Sequence, residues 1–234
     1  MKWNIHHAAI TESTNLDARQ GSHGDVFTAD LQTAGRGRLD HKWHSRAGQN
    51  LLFSAVVDVA DLDPALISTF PLTVGLAVAK TLSNELQEVA VKWPNDIWVR
   101  GRKICGILCE RFNDKVIAGV GVNVKETAFP PELQARSTSL AIEGASGDFL
   151  EPQKVLQKIL DELSCLYNDW KINGFTNVHR DLQIFDALKG RDISVLATDN
   201  DEKPLSGVCG GIDVDGSLLV GGNKVWAGEA HVIL

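Results

Sequence analysis

Residues able to handle charge are concentrated in the segment Lys92-Trp93-Pro94-Asn95-Asp96 and in Lys103, which follows the turn Arg100-Gly101-Arg102. Apolar residues flank the first segment, and they read as short buried strands at 89–91 and 97–99. Pro94 fixes its own φ and pushes Trp93 into an extended conformation. The turn is therefore stiff and aims Asn95 and Asp96 in set directions. An amide and a carboxylate in that setting suit a magnesium–phosphate site, because hard cations take oxygen ligands. An ammonium at Lys103 is placed to bridge two anions, such as a carboxylate and a phosphate. A surface hairpin also needs turn residues of these types, so this segment alone leaves both readings open.

A second constellation is Gln32-Thr33-Ala34-Gly35-Arg36-Gly37-Arg38, running on to Trp43 after a strand at 26–31. Its glycines permit close backbone approach to a ligand. Its arginines offer planar donor forks for carboxylate or phosphate, and Trp43 offers a flat apolar face. The spacing is neither a Walker A loop nor a dinucleotide fingerprint. A mobile basic loop has the same composition. Upstream, Glu12-Ser13-Thr14-Asn15 opens a helical run at 16–20, where Ser13 or Thr14 makes a good N-cap. The same hydroxyls and amide also fit a small polar head group.

In this order the segments resemble the biotin protein ligases. The resemblance extends to Gly106-Ile107-Leu108 after Lys103, to Gly119-Val120-Gly121-Val122-Asn123, to Arg136-Ser137-Thr138-Ser139-Leu140 and to the closing Gly228-Glu229-Ala230-His231. It spans essentially the whole chain. It implies an α+β fold with a mixed sheet flanked by helices, followed by a small SH3-like β-barrel. It also implies an ATP-dependent ligase. Biotin and ATP would give biotinyl-5′-adenylate and pyrophosphate, and a lysine of a biotin carboxyl carrier protein would then take the biotin and release AMP. On this resemblance Lys103, Arg38 and Asp96 are the catalytic residues. Ser13, Thr14, Asn15, Gln32, Arg36, Arg38, Lys103 and Gly106 are expected to bind biotin. Arg36, Arg38, Trp43, Asn95, Asp96, Lys103 and Asn123 are expected to bind ATP, with Trp43 stacked on adenine and Asp96 as a ligand of Mg²⁺. The expected partner is the carrier subunit of acetyl-CoA carboxylase or a related carboxylase, met by a monomer or a homodimer.

One departure stands out. Where the family continues with Gly-Arg, this chain has Asp40-His41. Asp tolerates the left-handed region better than most residues, but imidazole replaces a permanent cation. Weaker ordering of the loop at 35–44 is expected, and that loop is the candidate lid over a reactive adenylate. The nearest alternative is a lipoate or octanoate ligase or transferase. A transferase would need Cys105 or Cys109 as nucleophile. A binding-only biotin sensor is the other.

Composition sets bounds. At 234 residues, with 44% hydrophobic and 23% charged residues, the chain is long enough for one sizeable core and a small second unit. A net charge of −7 argues against general DNA affinity. The Ser-Thr-Asn segment begins at residue 13, so the expected form is a ligase without a repressor's DNA-binding domain. No apolar run reaches the ~18 residues of a membrane span, and the first residues lack a signal-peptide core. A cytoplasmic location is expected. Cys105, Cys109, Cys165 and Cys209 match no zinc spacing and read as reduced thiols, most of them buried as small apolar residues.

The positioning elements follow from periodicity. Apolar runs at 53–59, 104–111 and 116–124 read as strands. Residues 71–86 carry Leu72, Leu76, Ala79 and Leu82 at helical spacing. The longest helix is predicted over 152–170, with Pro152 in its first turn and a core stripe of Val155, Ile159, Leu163 and Leu166. A shorter helix is predicted over 175–185. At Leu188-Lys189-Gly190 the texture changes to short strands and tight turns, with adjacent glycines marking a bulge within 205–212. Five short strands there predict a small barrel. The expected division is a catalytic domain at 1–187 and the barrel domain at 188–234.

Overall fold

A computed structural model of the chain describes residues 1–38, 42–196 and 204–233. The Asp40-His41 departure and the turn expected at 198–201 lie outside the described residues. In chain order the first part contains β1 (Asn4–Thr11), α1 (Thr14–Asp17), β2 (Asp25–Gln32), β3 (Leu51–Asp58), α2 (Pro64–Ser68) and α3 (Phe70–Ser83). It continues with β4 (Val89–Lys92), β5 (Asp96–Val99), β6 (Arg102–Phe112), β7 (Lys115–Val122) and α4 (Pro131–Gln134). Two helices follow, α5 (Pro152–Asn173) and α6 (Thr176–Phe185). The last part holds β8 (Asp192–Leu196), β9 (Leu205–Ile212), β10 (Leu218–Val220), β11 (Asn223–Val225) and β12 (Glu229–Val232).

Seven strands form a mixed sheet in the order β1-β2-β3-β7-β6-β5-β4. The β1–β2 pair is parallel, because α1 carries the chain across between them; the other pairs are antiparallel. The helices α3 and α5 supply apolar residues to one large cluster on one face of the sheet. The stripe of Val155, Ile159 and Leu163 on α5 is fully buried there, as its period requires. Gly174, at φ +74°, ends α5, a conformation that glycine adopts without a Cβ penalty.

The strand β1 carries no alternation because it is the sheet's edge and most of its side chains are exposed, so its sequence gives no period-2 signal. The strand β6, by contrast, alternates clearly. Cys105 and Ile107 point into the core, while Gly106 and Leu108 line the opposite face.

The second sheet is antiparallel, in the order β11-β10-β9-β8-β12, where a small β unit is expected. It is anchored to the first part at the Lys92–Asp96 turn. The Trp93 indole is buried and donates to the Gly216 carbonyl at 3.0 Å. Asp186, just after α6, accepts from the Ile212 amide at 3.0 Å.

Candidate active site

Three glycines make the floor of a cleft on the sheet face away from α3. Gly106 and Gly121 are partners across β6 and β7, and Gly119 faces Leu108. A Cβ at Gly119 would lie 2.2 Å from Asn15 Oδ1, one at Gly121 2.5 Å from Trp43 Cε2, and one at Gly106 3.0 Å from Trp43 Cζ3. The missing side chains therefore admit the Asn15 amide and the Trp43 indole against the backbone. The remaining cavity is about 120 Å³. Its wall includes every residue expected to bind biotin, together with Trp43, Asn95 and Asp96.

One end of the cleft is polar and uncharged. Ser13 is the N-cap of α1, yet its hydroxyl makes no capping bond, so that oxygen is left for a ligand. Thr14 donates to Gln32 Oε1 from both its backbone amide, at 2.8 Å, and its hydroxyl, at 3.0 Å. These bonds set the orientation of the Gln32 amide and leave its NH₂ group for the cleft. Asn15 is fully engaged within the protein. Its Oδ1 accepts from Ser54 Oγ at 2.6 Å, and its Nδ2 donates to Glu110 at 2.6 Å and to the Leu108 carbonyl at 3.3 Å.

The other end gathers cations. Lys103 owes its direction to a bulge: Ile97 pairs with Cys105 but Trp98 pairs with Lys103, so β6 carries one extra residue, Ile104. Without it, strict alternation would turn Lys103 to the core side with Cys105; a bulge re-aims a side chain in this way. Lys103 Nζ lies 2.7 Å from Asp96 Oδ1 and 5.9 Å from the centre of the Trp43 ring. The strand's backbone at this point is held by the Arg136–Thr138 segment, which accepts from Lys103 N at 2.7 Å and donates to Lys103 O at 2.8 Å. Arg38 Nη1 donates to the Gly228 carbonyl at 3.2 Å and to Asn95 Oδ1 at 3.4 Å. Among the described residues no carboxylate lies within ion-pair distance of Arg38. Burial lowers the Arg38 pKa, opposed by Asp96 and Glu229, though a guanidinium remains charged at any working pH.

Three expected site residues have other occupations. Arg36 spends its guanidinium on Glu110, at 3.0 and 3.1 Å. Asn95 holds the Ile107 carbonyl through Nδ2 at 2.7 Å, which makes it a brace of the turn. Asn123 is buried, does not line the cleft, and donates to the Thr138 carbonyl at 2.9 Å. It braces the segment that holds Lys103.

Residues without an assigned role in the sequence reading also reach the site. Lys92 is only 9% exposed, lines the cleft, and places its ammonium 5.1 Å from the centre of the Trp98 ring. Burial lowers its pKa, with Asp96 and Glu229 opposing. Glu229 comes from the second sheet and lines the same cleft. Lys92 lies within the charged motif and was there to be found. Glu229 lies in the closing Gly228-Glu229-Ala230-His231 segment, whereas Glu110 carries no local sequence signal.

Two of the thiols sit in environments that disfavour the thiolate, whereas Cys165 is exposed on α5. Burial pushes Cys105 and Cys109 well above the ordinary thiol range, and a nucleophilic cysteine needs the opposite shift. Among the described residues there is no group of three or more His, Cys, Asp or Glu side chains able to cage a metal, and no helix is long and apolar enough to cross a membrane.

The cleft thus has a neutral hydrogen-bonding end, an apolar glycine–tryptophan middle and a cationic end. Residues 8–125 match the Biotin/lipoate A/B protein ligase family, and the chain belongs to it. Over 96% of its length it is 31% identical to the biotin–[acetyl-CoA-carboxylase] ligase of Mycobacterium tuberculosis, covering 86% of that protein. It is also 37% identical, over 71% of its length, to the bifunctional ligase/repressor BirA of Bacillus spizizenii. That match takes in 52% of the relative, so the chain spans about half its length. Among solved structures, the biotin protein ligase from Aquifex aeolicus in complex with biotin and ATP superposes with a TM-score of 0.86, at 26% identity, covering 98% of this chain and 99% of that one.

Proposed function

We propose that the protein is an ATP-dependent biotin–protein ligase. The carrying observation is the Lys103–Asp96 pair, 2.7 Å apart, at the far end of a cleft that begins with Ser13 and Gln32. A biotin molecule that places its ureido ring at the neutral end runs past the Trp43 indole, which is seated on Gly106 and Gly121. Its carboxylate then reaches Lys103, and the Trp43 indole covers the apolar stretch between. In this reading Trp43 borders biotin's middle, and the stacking on adenine expected from the sequence stays part of the proposal.

In the first half-reaction a biotin carboxylate oxygen attacks the α-phosphorus of ATP. The new P–O bond forms as the bond to the leaving pyrophosphate breaks. Two anions must approach each other, so preorganised positive charge is the main catalytic contribution. Lys103 contacts both, and Arg38 and Lys92 face the phosphates. Asp96 offsets part of the cationic charge gathered there and aims Lys103. It is also a carboxylate fitted to hold Mg²⁺ alongside substrate oxygens and water, as such sites commonly do; bound there, the ion would neutralise phosphate charge. In the second half-reaction the ε-amine of a carrier lysine attacks the mixed anhydride carbonyl, and AMP leaves. The carrier in this reading is the biotin carboxyl carrier protein of a carboxylase, met in the cytoplasm.

The family also includes lipoate enzymes. The raised thiols of Cys105 and Cys109 weigh against a cysteine-based acyl transferase. The deciding experiment is ATP–pyrophosphate exchange with magnesium and either biotin, lipoate or octanoate. Exchange with biotin alone is expected. Exchange with a fatty acid and not with biotin would move the protein to the lipoate side, and folded protein without any exchange would defeat the ligase reading.

A further inference from the structure

Glu110 lies on β6, on the same face as Gly106 and Leu108, but takes no part in the reaction described above. Its carboxylate adds a charged tie between two elements whose bases are already joined by Thr14–Gln32 and Ala34–Glu12 bonds. Arg36 Nη2 donates to Oε1 at 3.0 Å and to Oε2 at 3.1 Å, and Asn15 Nδ2 donates to Oε2 at 2.6 Å. Arg19 Nη2 stands further off, 3.8 Å from Oε1. Asn15 is immobile, buried against Gly119 and held by Ser54. Arg36 belongs to the glycine–arginine loop that carries Arg38 and Trp43.

An exposed ion pair is worth little when both partners must be ordered to make it. Here one partner is already fixed. The buried Asn15 amide orients the carboxylate, so Arg36 meets a preset acceptor and forms a charge-assisted bond. We propose that Glu110 is a positioning residue, a latch that ties the loop at Arg36 to the biotin head-group end and keeps it closed over the adenylate. The inference rests on the ligase reading for its consequence, but the latch itself is measurable without turnover.

The test uses the full chain with Glu110→Gln, Arg36→Ala and both together. Glu110→Gln leaves an amide oxygen for Asn15 but removes the charge that holds Arg36. Trypsin cleavage within residues 36–46 of the ligand-free protein is expected to accelerate in each single variant. So is the appearance of free biotinyl-adenylate when carrier is withheld, by about fivefold, which corresponds to about 1 kcal/mol. Exchange in Glu110→Gln is expected to stay near that of the unsubstituted protein. The double variant should be no worse than the singles, because both remove one contact. Unchanged cleavage in Glu110→Gln would overturn the latch, and so would additive effects in the double variant. If Glu110→Gln fails to fold, Arg36→Ala alone decides, and unaltered cleavage there overturns it. Absence of exchange in the unsubstituted protein would defeat the ligase reading while leaving the cleavage result to judge the latch.

Discussion

The indole of Trp43 lies on Gly121 so closely that a Cβ there would come within 2.5 Å of Cε2. Two neighbouring indole atoms, Cζ2 and Nε1, would be at 2.7 and 2.9 Å. Among the described residues Trp43 Nε1 is buried without a hydrogen-bond partner, so packing on the glycines and the Lys103 ammonium 5.9 Å from its centre position the ring. Gly121→Ala should therefore lift the indole out of the cleft. A displaced ring no longer borders the ligand, and biotin affinity should fall at least about fivefold, or about 1 kcal/mol. The chain should melt near the temperature of the unsubstituted protein, since the displaced ring faces the cleft and not the core. Calorimetric titration with biotin, beside a thermal melt, checks both; affinity within about twofold would mean that Trp43 does not cover the ligand.

Lys103 offers a second test because it is functionally central and structurally marginal. Its side chain is 35% exposed, and its loss opens no core cavity. Lys103→Ala removes the cation that bridges the two reacting anions and leaves Asp96 uncompensated beside them. By analogy with removal of one preorganised donor, exchange should fall about 10²–10³-fold, or about 2.7–4 kcal/mol. Turnover within about threefold of the unsubstituted protein would overturn the assignment of Lys103.

The charged end of this cleft was legible because its residues cluster in sequence: a rigid turn, then a lysine one strand away. The bulge at Ile104 that turns Lys103 toward the cleft left no such mark, since it depends on how β5 and β6 align. The edge strand β1 escaped notice because it has no buried face to impose a period. Asn123 carries a bond that the sequence did not announce. Its side chain satisfies the Thr138 carbonyl, a structural need that a motif cannot distinguish from ligand binding. Arg36, expected to meet biotin and ATP, also pairs with Glu110, 74 residues away, which nothing local announces.

Lys92 gives the cleft a pH dependence. Burial holds its pKa below the ordinary lysine value in the ligand-free protein, while a bound polyphosphate would stabilise the charged form and raise it. Binding then takes up a proton over the interval between the two values. Affinity is full below the lowered pKa and falls as pH rises through it, so ATP affinity should begin to fall at a lower pH than an ordinary lysine would dictate. Lys92→Arg, which keeps its charge, should flatten that fall, and Lys92→Met should weaken ATP at every pH below it. The KM for ATP in biotin-dependent exchange, measured across alkaline pH in the three proteins, is the readout. Parallel profiles in Lys92→Arg and the unsubstituted protein would assign the fall to another group.

Arg38 joins the loop to both remaining parts of the site, since one guanidinium nitrogen donates to Asn95 on the charged turn and to Gly228 on the second sheet. Arg38→Gly removes both bonds. It also adds a third glycine next to Gly35 and Gly37, raising the entropy that closure must overcome. An open loop exposes the mixed anhydride to water and stray amines. In protein supplied with biotin, ATP and magnesium but no carrier, free adenylate per exchange event should rise at least about tenfold, the effect of losing about 1.4 kcal/mol of closure. Exchange itself should slow as well, because the same cation faces the phosphates. The ratio of released adenylate to exchange separates these two effects: a slower reaction with an unchanged ratio would make Arg38 a charge contributor without a role in the lid.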